Sequence, residues 1–482
     1  MRGYRCLKNI YLTVHAPQLE TPISADTQSL FDQGNEIGAK AREYYPGGVL
    51  IDNKPWDFSG AIAKTRELLA AGTPIIYEAA FEYMGCYARA DILHYSADSK
   101  RYRIYEVKSS TKVKPEHIDD VGLQAWIMAK SGLPIESIHV AHLNPECRYP
   151  DLSQLFKEVD VTGEIRAKYP EIQPKIREIL LTIREPDVPN IDIGDYCSSP
   201  NDCGFKEYCY KEKNLPAMSI LNVPGLRDRK WQLYQQGIIN IDDPRFTDLN
   251  VLQERIVHCY KTNTRYIDHD NIKNMMQDWQ YPLVYLDFET INPAIPRYDN
   301  CKPFSHTPFH FSVHIQANPD AELTHIEFLH TTDDDPRPTL IPALLAACGT
   351  EGSIVAYFSK FESERISELA EYAPEFASAL LALNERMVDP LPILRECVYD
   401  NAFAGSFSLK SVAPALLGEK SSYKGMAISN GSEAQRGYTE LTASKTNAER
   451  KSFLISAMLE YCKKDTLEMV MLVHWLQQQI KI

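Results

Sequence analysis

Helix-like and strand-like patterns of hydrophobic and polar positions divide the 482-residue chain into three regions without internal repeats. Residues 1–215 mix both patterns and end in a cysteine cluster, whereas residues 216–280 are polar and mostly helical. Strand-like runs return in residues 281–482, which close with an amphipathic helical pattern from about Asn447 to the C-terminus. This order predicts an α/β protein of two domains, 1–215 and 281–482, joined by a helical connector at 216–280.

The run YPLVYLDFET, Tyr281 to Thr290, starts like a buried strand and ends in two acids. Because side chains two apart on a strand point to the same side, Asp287 and Glu289 are predicted to lie next to each other. Neighbouring carboxylates repel unless a positive group lies between them, and a divalent cation is the usual one. A strand end with solvent-facing acids is the alternative interpretation.

Further acids lie downstream of this pair. In EYCKKDTLEMV, Tyr461 and Asp465 are four apart on a predicted helix, so they share one face. Asp465 is placed to bind a metal, and Tyr461 to orient a water. In IVAYFSKFESERI, a strand running into a helix, Glu362 follows Phe361 and is a candidate third acid. Asp389, in MVDPLPIL, is a rival for that position.

The order and spacing of these motifs resemble the DnaQ-like exonucleases of the RNase H fold, in their tyrosine-containing subclass. The resemblance implies phosphodiester hydrolysis by two Mg or Mn ions roughly 4 Å apart, with Asp287 bridging both. The other metal ligands would be Glu289, Glu362 and Asp465. The chain departs from the family at Glu362, where Asp is usual, and at Phe358, where Asn is frequent.

Two other stretches are candidates for phosphate contacts. GSFSLKSVAPALL, Gly405 to Leu417, predicts a loop and a helix with Ser408 as its N-cap, and Lys410 is placed either to meet a substrate phosphate or as a plain surface lysine. The connector stretch LNVPGLRDRKWQLYQQGIINIDD faintly resembles a helix-hairpin-helix element, which offers backbone N–H groups to a phosphate. Packing of two domains is its alternative role.

Residues 87–110, YARADILHYSADSKRYRIYEVKSS, predict two strands separated by a polar turn. Asp91 lies on the first strand, and Glu106 and Lys108 share one face of the second. A carboxylate pair for a metal with an adjacent lysine is the set that metal-dependent phosphodiester cleavage requires. This arrangement resembles the PD-(D/E)xK nuclease core.

The stretch LQAWIMAKSG places Gln124 on a helix after this core, as the Q-x-x-x-Y helix of RecB-like nucleases does, but Met128 stands at the tyrosine position. These nucleases also tend to carry G-x-x-x-H near the start of the domain. The corresponding GNEIG has Gly34, with Gly38 in place of the histidine.

Cys197, Cys203 and Cys209 follow a C-x5-C-x5-C pattern, and Cys6 lies at the other end of the same region. Structural zinc usually uses C-x2-C pairs, whereas an iron-sulfur cluster accepts looser spacing. One N-terminal cysteine with three after the nuclease core resembles the iron-sulfur RecB-like exonucleases, including the CRISPR-associated ones. The resemblance implies a 4Fe-4S cluster; zinc or unligated thiols remain the alternatives.

Charge and hydropathy limit the remaining classes of function. A net charge of -14 is contrary to a simple nucleic-acid coat protein, but catalytic carboxylates and their metals are compatible with a locally basic groove. No apolar run approaches the roughly 18 residues of a membrane span, and the N-terminus lacks the apolar segment of a signal peptide. A cytoplasmic protein without a membrane partner is therefore expected.

As a whole, the chain resembles bacterial proteins of unknown function that join an iron-sulfur RecB-like domain to a DnaQ-like RNase H-fold domain. The resemblance implies a metal-dependent exonuclease acting on DNA, with a role in DNA repair or defence. The alternative is a nucleic-acid-binding or scaffold protein in which one or both nuclease sites are inactive.

Overall fold

The computed structural model describes residues 1–480 of a mixed α/β protein. Contacts divide the chain into two compact units: unit 1 comprises Met1–Lys213 and Pro293–Phe304, and unit 2 comprises Asn214–Asn292 and the chain from Ser305 onward. The last two positions of the amphipathic stretch predicted from Asn447 lie outside the described residues.

Unit 1 contains a mixed sheet with its strands in the order β1-β2-β3-β4-β5-β6. β2, β3 and β4 are antiparallel neighbours, whereas β1 pairs with β2, and β4 with β5, in parallel. The strand bounds are β1 Val49–Leu50, β2 Ile75–Tyr83, β3 Cys86–Ser96, β4 Arg101–Lys108, β5 Ile135–Leu143 and β6 Phe156–Asp160.

The helices of unit 1 cover this sheet and form its N-terminal segment. Their bounds are α1 Arg2–Arg5, α2 Leu7–His15, α3 Ala25–Tyr44, α4 Phe58–Ala70, α5 Pro115–Lys130, α6 Thr162–Thr182 and α7 Lys206–Glu212. On one face of the sheet, the fully buried Trp126 and Ala125 of α5 share a hydrophobic core with Ile104 of β4. On the other face, Ala41 of α3 packs with Tyr105 of β4. α5 therefore lies on the face of β4 that carries Glu106 and Lys108.

Unit 2 contains a sheet in the order β10-β9-β8-β11-β12 and a two-stranded ribbon, β13-β7. β8, β9 and β10 are antiparallel, while β8, β11 and β12 run in parallel. The bounds are β7 Tyr266–Ile267, β8 Leu283–Ile291, β9 Thr307–Gln316, β10 Thr324–Leu329, β11 Ser353–Val355, β12 Met387–Val388 and β13 Val398–Tyr399.

Helices cover both faces of the unit 2 sheet. Their bounds are α8 Arg229–Gln235, α9 Val251–Thr262, α10 His269–Met276, α11 Arg337–Cys348, α12 Lys360–Tyr372, α13 Ala377–Glu385, α14 Pro390–Cys397, α15 Leu409–Leu417, α16 Gly431–Thr442 and α17 Ala448–Ile480. Phe311 and Leu286 face the core that includes α11 and α12. α17 lies on the opposite face, where Thr466 contacts Ser312.

Two boundaries differ from those expected from the sequence. Residues 216–280 belong to unit 2, because Leu233, Ile256 and Ile272 share one hydrophobic core with Leu283 and Leu472. Polar composition concealed this role, since only one side of each short helix is buried.

Residues 293–304 belong to unit 1, although they follow β8 in the chain. Ala294 packs with Leu143 and Leu155, and Tyr149 exchanges backbone hydrogen bonds with Asn300 and Cys301, each 3.0 Å long. No strand or helix pattern in the sequence indicated that these residues belong to unit 1.

None of the helices described within residues 1–480 has the combination of length and apolar character that crossing a membrane requires.

Candidate functional site

In unit 2, β8 carries the first two acids of the candidate site. Leu283 to Leu286 are buried, and the strand continues to Asp287 and Glu289, which pair with Ser312 and His310 of β9. Because the strand has a period of two, both carboxylates point to the face covered by α17.

α17 brings Asp465 and Tyr461 to this face, and both are buried. One carboxylate oxygen from each of Asp287, Glu289 and Asp465 lies within 4.8 Å of the other two. Within residues 1–480 no other set of three acidic, histidine or cysteine side chains meets that distance. Three converging carboxylates repel one another, and a divalent cation bound by their oxygens would relieve this repulsion.

Glu362 and Asp389, the two candidates for the third acid, have different roles. Glu362 lies in the first turn of α12, is 4% exposed, and keeps its Oε2 atom buried without a hydrogen-bond partner. Asp389 accepts N–H hydrogen bonds from Leu391 at 2.8 Å, Phe358 at 3.1 Å and Ser359 at 2.9 Å. The oxygens of Asp389 thus accept backbone N–H groups, whereas Glu362 retains an unpartnered oxygen and is the better candidate for the third acid. Glu362 does not belong to the set of three acids that converge within 4.8 Å.

The electrostatics of the four acids is consistent with this assignment. Burial, followed by repulsion from Asp465, raises the pKa of Asp287 well above its usual value. Burial, followed by repulsion from Asp287, likewise raises the pKa of Glu289 and of Glu362. Burial also raises the pKa of Asp465, against hydrogen bonds from tyrosines. Negative charge is therefore costly here until a cation binds.

Lys410 and Tyr423 complete the surroundings of Asp465. The Tyr423 hydroxyl donates to Asp465 Oδ1 at 2.5 Å. Lys410 Nζ donates to the Tyr461 hydroxyl at 3.0 Å and to the Ser429 carbonyl at 2.6 Å. Lys410 is thus part of the site rather than a plain surface lysine. Tyr423 was not predicted, because no spacing in the sequence pointed to it.

Ser408 occupies the N-cap position of α15, but its side chain caps no backbone N–H there. Its hydroxyl instead shares a hydrogen bond of 2.9 Å with Ser411. Ser408 is therefore the N-cap residue, as predicted, but its hydroxyl bonds to a neighbouring hydroxyl rather than to a backbone N–H.

In unit 1, Asp91 on β3 and Glu106 and Lys108 on β4 lie on one face of the sheet. Asp91 Oδ2 accepts the Val107 N–H at 2.7 Å. Lys108 Nζ contacts Glu106 at 2.9 Å and Asp120, which the sequence interpretation missed, at 2.7 Å. These ion pairs hold the lysine beside the carboxylates.

Gln124, on α5, donates from Nε2 to Glu106 Oε1 at 3.0 Å. The second oxygen of Glu106 and the Oε1 atom of Gln124 are buried without hydrogen-bond partners. Burial raises the pKa of Asp91 to about 6. Burial, and then Asp91, raises the pKa of Glu106 to about 8. An orphaned, buried carboxylate oxygen is a free ligand position.

Glu78, on β2, is another acid of this face that was not predicted. Its φ is 60°. In the register between β2 and β3, Tyr77 pairs with Ile92 and Ala79 with Ala90, so that Glu78 and Asp91 are both left out of the pairing. Gly38 and Met128 provide no polar group, and Met128 is fully buried in the hydrophobic core. Unit 1 therefore presents acids and a lysine, but no histidine at the Gly38 position and no hydroxyl at the Met128 position.

The four cysteines Cys6, Cys197, Cys203 and Cys209 line one small cavity of unit 1. Cys6 joins α1 to α2, and the other three come from the segment that ends with α7. Asn9 Nδ2 donates to Cys203 Sγ at 3.0 Å. The chain ends of the unit thus converge on a set of four thiols.

The four cysteine sulfurs do not form a close cluster in the structure. No three of the cysteine sulfurs among residues 1–480 lie within 4.8 Å of one another. A metal ion or an iron-sulfur cluster bound here would take these thiolates as ligands. Asn9 would then provide an N–H hydrogen bond to a ligand sulfur.

Because the pKa values of Asp91 and Glu106 are raised in the folded state, metal-free protein is expected to lose stability as the pH rises from about 4 to about 8. The unfolded acids ionise near pH 4, whereas in the folded state the pKa of Asp91 is about 6 and that of Glu106 about 8. Ionisation therefore favours the unfolded chain progressively as the pH rises through this range. Urea unfolding with EDTA at several pH values measures the slope.

Glu106→Gln is the matched variant for this measurement, since glutamine keeps the shape of the side chain and removes its titration. It should flatten the decline in the upper half of the pH range. A wild-type stability that stays level or rises over this range would contradict the expectation, as would an unchanged slope in the variant.

The comparisons with known proteins cover parts of the chain. Residues 284–408, which include Asp287, Glu289 and Glu362, match the model of a domain of unknown function, DUF2779. Uncharacterized protein UU173 of Ureaplasma parvum is 24% identical over 324 residues, 61% of this chain and 46% of that protein. The uncharacterized protein MG366 homolog of Mycoplasma pneumoniae is 22% identical over 222 residues, 42% of this chain and 33% of that protein.

The chain thus spans less than half of the length of either of these two relatives. No solved structure matches it significantly. The matched part of the chain includes Asp287, Glu289 and Glu362. In this part the chain is similar to a family whose description assigns no function.

Proposed function

We propose that the protein is a metal-dependent nuclease whose main active site is the acid cluster of unit 2. The convergence of Asp287, Glu289 and Asp465 within 4.8 Å carries this proposal. A sheet with three antiparallel strands followed by two parallel ones, covered by α17, supports an RNase H-like fold. The substrate would be DNA, cut from an end.

The residues of unit 2 have separate roles in this reaction. The carboxylates of Asp287, Glu289, Glu362 and Asp465 would hold Mg or Mn. The bound ions would supply the Lewis acidity that activates water and stabilises the leaving oxygen. The Tyr461 hydroxyl, held by Lys410 at 3.0 Å, would orient the attacking water, and the Lys410 ammonium would also offset phosphate charge.

A second nuclease site in unit 1, of the PD-(D/E)xK type, is part of the proposal. Asp91 and Glu106 would bind the metal, Gln124 would orient Glu106, and Lys108 would face the phosphate. The 4Fe-4S cluster on the four cysteines would tie the two ends of the unit together. A cytoplasmic location and a role in DNA repair or defence belong to the same proposal.

A narrower function keeps only unit 2 catalytic, with unit 1 as a nucleic-acid-binding module. The Lys108 ammonium is engaged by both Glu106 and Asp120, and the face lacks the histidine and tyrosine of RecB-like enzymes. These observations favour unit 2 as the seat of cleavage.

A nuclease assay tests the proposal. Labelled single-stranded DNA, duplex DNA and RNA are incubated with Mn²⁺ and wild type, Glu106→Gln or Asp287→Asn, two shape-conserving variants. Loss of cleavage in Asp287→Asn alone assigns the activity to unit 2, and loss in Glu106→Gln alone assigns it to unit 1. Absence of cleavage by the wild type on all three substrates would leave the binding or scaffold function.

Removal of the Tyr423 hydroxyl is expected to weaken metal binding to unit 2 about 10- to 100-fold, the usual effect of losing a hydrogen bond to a ligand. Tyr423→Phe keeps the ring but leaves Asp465 without its 2.5 Å hydrogen bond. Isothermal titration with Mn²⁺ measures the change. Tyr372→Phe, at a tyrosine in α12 with no part in the cluster, is the control; equal affinities in wild type and Tyr423→Phe would contradict this role.

A further inference from the structure

Phe358 combines strain with exposure. Its φ is 63°, in the left-handed region that bulky residues rarely adopt, and it is 53% exposed. Among the non-glycine residues with positive φ in residues 1–480, it is the one with a large, exposed apolar side chain. A single exposed apolar residue needs no explanation, but one held in a strained conformation does.

Buried and half-buried neighbours hold the backbone of Phe358 in place. The Asp389 carboxylate accepts its N–H at 3.1 Å and that of Ser359 at 2.9 Å. The preceding residue, Tyr357, donates its hydroxyl to the Phe407 carbonyl at 2.5 Å. These contacts fix the main chain on both sides while the Phe358 ring remains in solvent.

The backbone of Phe358 is joined to the helix that carries Glu362. The Phe361 N–H donates to the Phe358 carbonyl at 3.1 Å, so that Phe358 is joined to the first turn of α12, which carries Glu362. Phe358 is therefore within about one helical turn of a proposed metal ligand. At the same helix end, the exposed Lys360 side chain pairs with Glu364, with Nζ 3.7 Å from the carboxylate.

Building on the proposed function, we propose that Phe358 is the platform on which an unpaired nucleobase of the substrate stacks at the unit 2 site. Aromatic rings bind bases by their π-faces without sequence preference, and cations next to them bind the phosphate backbone. A flat, pre-positioned ring about one helical turn from Glu362 fits this ligand. The substrate class is thus a single-stranded nucleic acid with an unpaired base at the cleavage position.

The test compares strands with and without bases. Fluorescently labelled dT12 and rU12, each with an abasic counterpart of the same length, are cleaved with Mn²⁺ by wild type, Phe358→Ala and Phe453→Ala. Phe453, 49% exposed on α17, is the matched control for loss of an exposed ring. Wild type should prefer the base-bearing strand by about tenfold, as loss of one stacking contact predicts.

Phe358→Ala should lose most of this preference through a lower kcat/KM on the base-bearing strand, while its rate on the abasic strand stays that of the wild type. Phe453→Ala should retain the wild-type preference. An unchanged preference in Phe358→Ala would overturn the stacking role and leave the proposed function intact. Absence of cleavage by the wild type on every strand would overturn both.

Phe358→Gly separates the role of the ring from folding. Because glycine adopts positive φ without strain, this variant should melt at the wild-type temperature or above it. It should nevertheless show the same loss of preference as Phe358→Ala. A glycine variant that melts normally and retains the wild-type preference would overturn the inference.

Discussion

Asp287→Asn is expected to lower Mn²⁺-dependent cleavage by unit 2 at least about a thousandfold, since a metal ligand supports several kcal/mol of transition-state stabilisation. The same substitution should raise the melting temperature of the metal-free protein. The pKa of Asp287 is raised first by burial and then by repulsion from Asp465, so removal of its charge relieves both costs at neutral pH. Initial cleavage rates and thermal melts in EDTA measure the two effects.

Glu327→Gln provides the control for Asp287→Asn. Glu327 lies on β10 of the same sheet and its pKa is also raised by burial, but it takes no part in the acid cluster. Its substitution should leave cleavage unchanged. Cleavage by Asp287→Asn within tenfold of the wild-type rate would contradict the role of Asp287, even if its thermal melt shifted as expected.

Cys203→Ser is expected to remove most of the bound iron and to lower the thermal stability of unit 1. A 4Fe-4S cluster corresponds to about four irons per chain and depends on four thiolates. Cys203 lines the same cavity as Cys6 and also accepts the Asn9 N–H at 3.0 Å. Iron analysis, visible absorbance and thermal melts of anaerobically purified protein measure the loss.

Cys86→Ser is the matched control for this loss, because Cys86 is a thiol of unit 1 outside the cavity of the four cysteines. It should retain the full iron content. Stoichiometric zinc in place of iron in the wild type would contradict the cluster, and a metal-free wild type with reactive thiols would contradict any metal at this site.

Local periodicity predicted which site residues of unit 2 share a strand face and which share a helix face. Asp287 and Glu289 share a strand face because side chains alternate, and Tyr461 and Asp465 share a helix face because they are one turn apart. What the sequence did not contain was the distance between the strand and the helix, more than 170 positions apart along the chain. Tertiary packing of α17 on β8 supplies it.

The choice between Glu362 and Asp389 required knowledge of hydrogen-bond partners. Both follow short strands and either was compatible with the motif. Asp389 has three backbone N–H partners, whereas Glu362 has a buried oxygen without one. Two of the three partners of Asp389 lie about 30 positions away in the chain, so they could not be counted from the sequence.

Residues outside regular elements were the least predictable. Tyr423 reaches Asp465 from a loop, and loops show no period that marks their inward side chains. The placement of Glu78 depends on an irregular backbone position within β2. The sequence does not indicate such a position when the residue is not glycine. Asp120 was overlooked because α5 was interpreted through Gln124 alone, although the four-residue spacing places both on one helix face.

Diffraction from crystals soaked in Mn²⁺, with data collected at the manganese absorption edge, shows directly whether the acids of unit 2 bind metal. A two-metal site predicts an anomalous peak within coordination distance of Asp287, Glu289 and Asp465, and a second peak about 4 Å from the first on the side of Glu362. Absence of any peak at these carboxylates at saturating Mn²⁺ would contradict it.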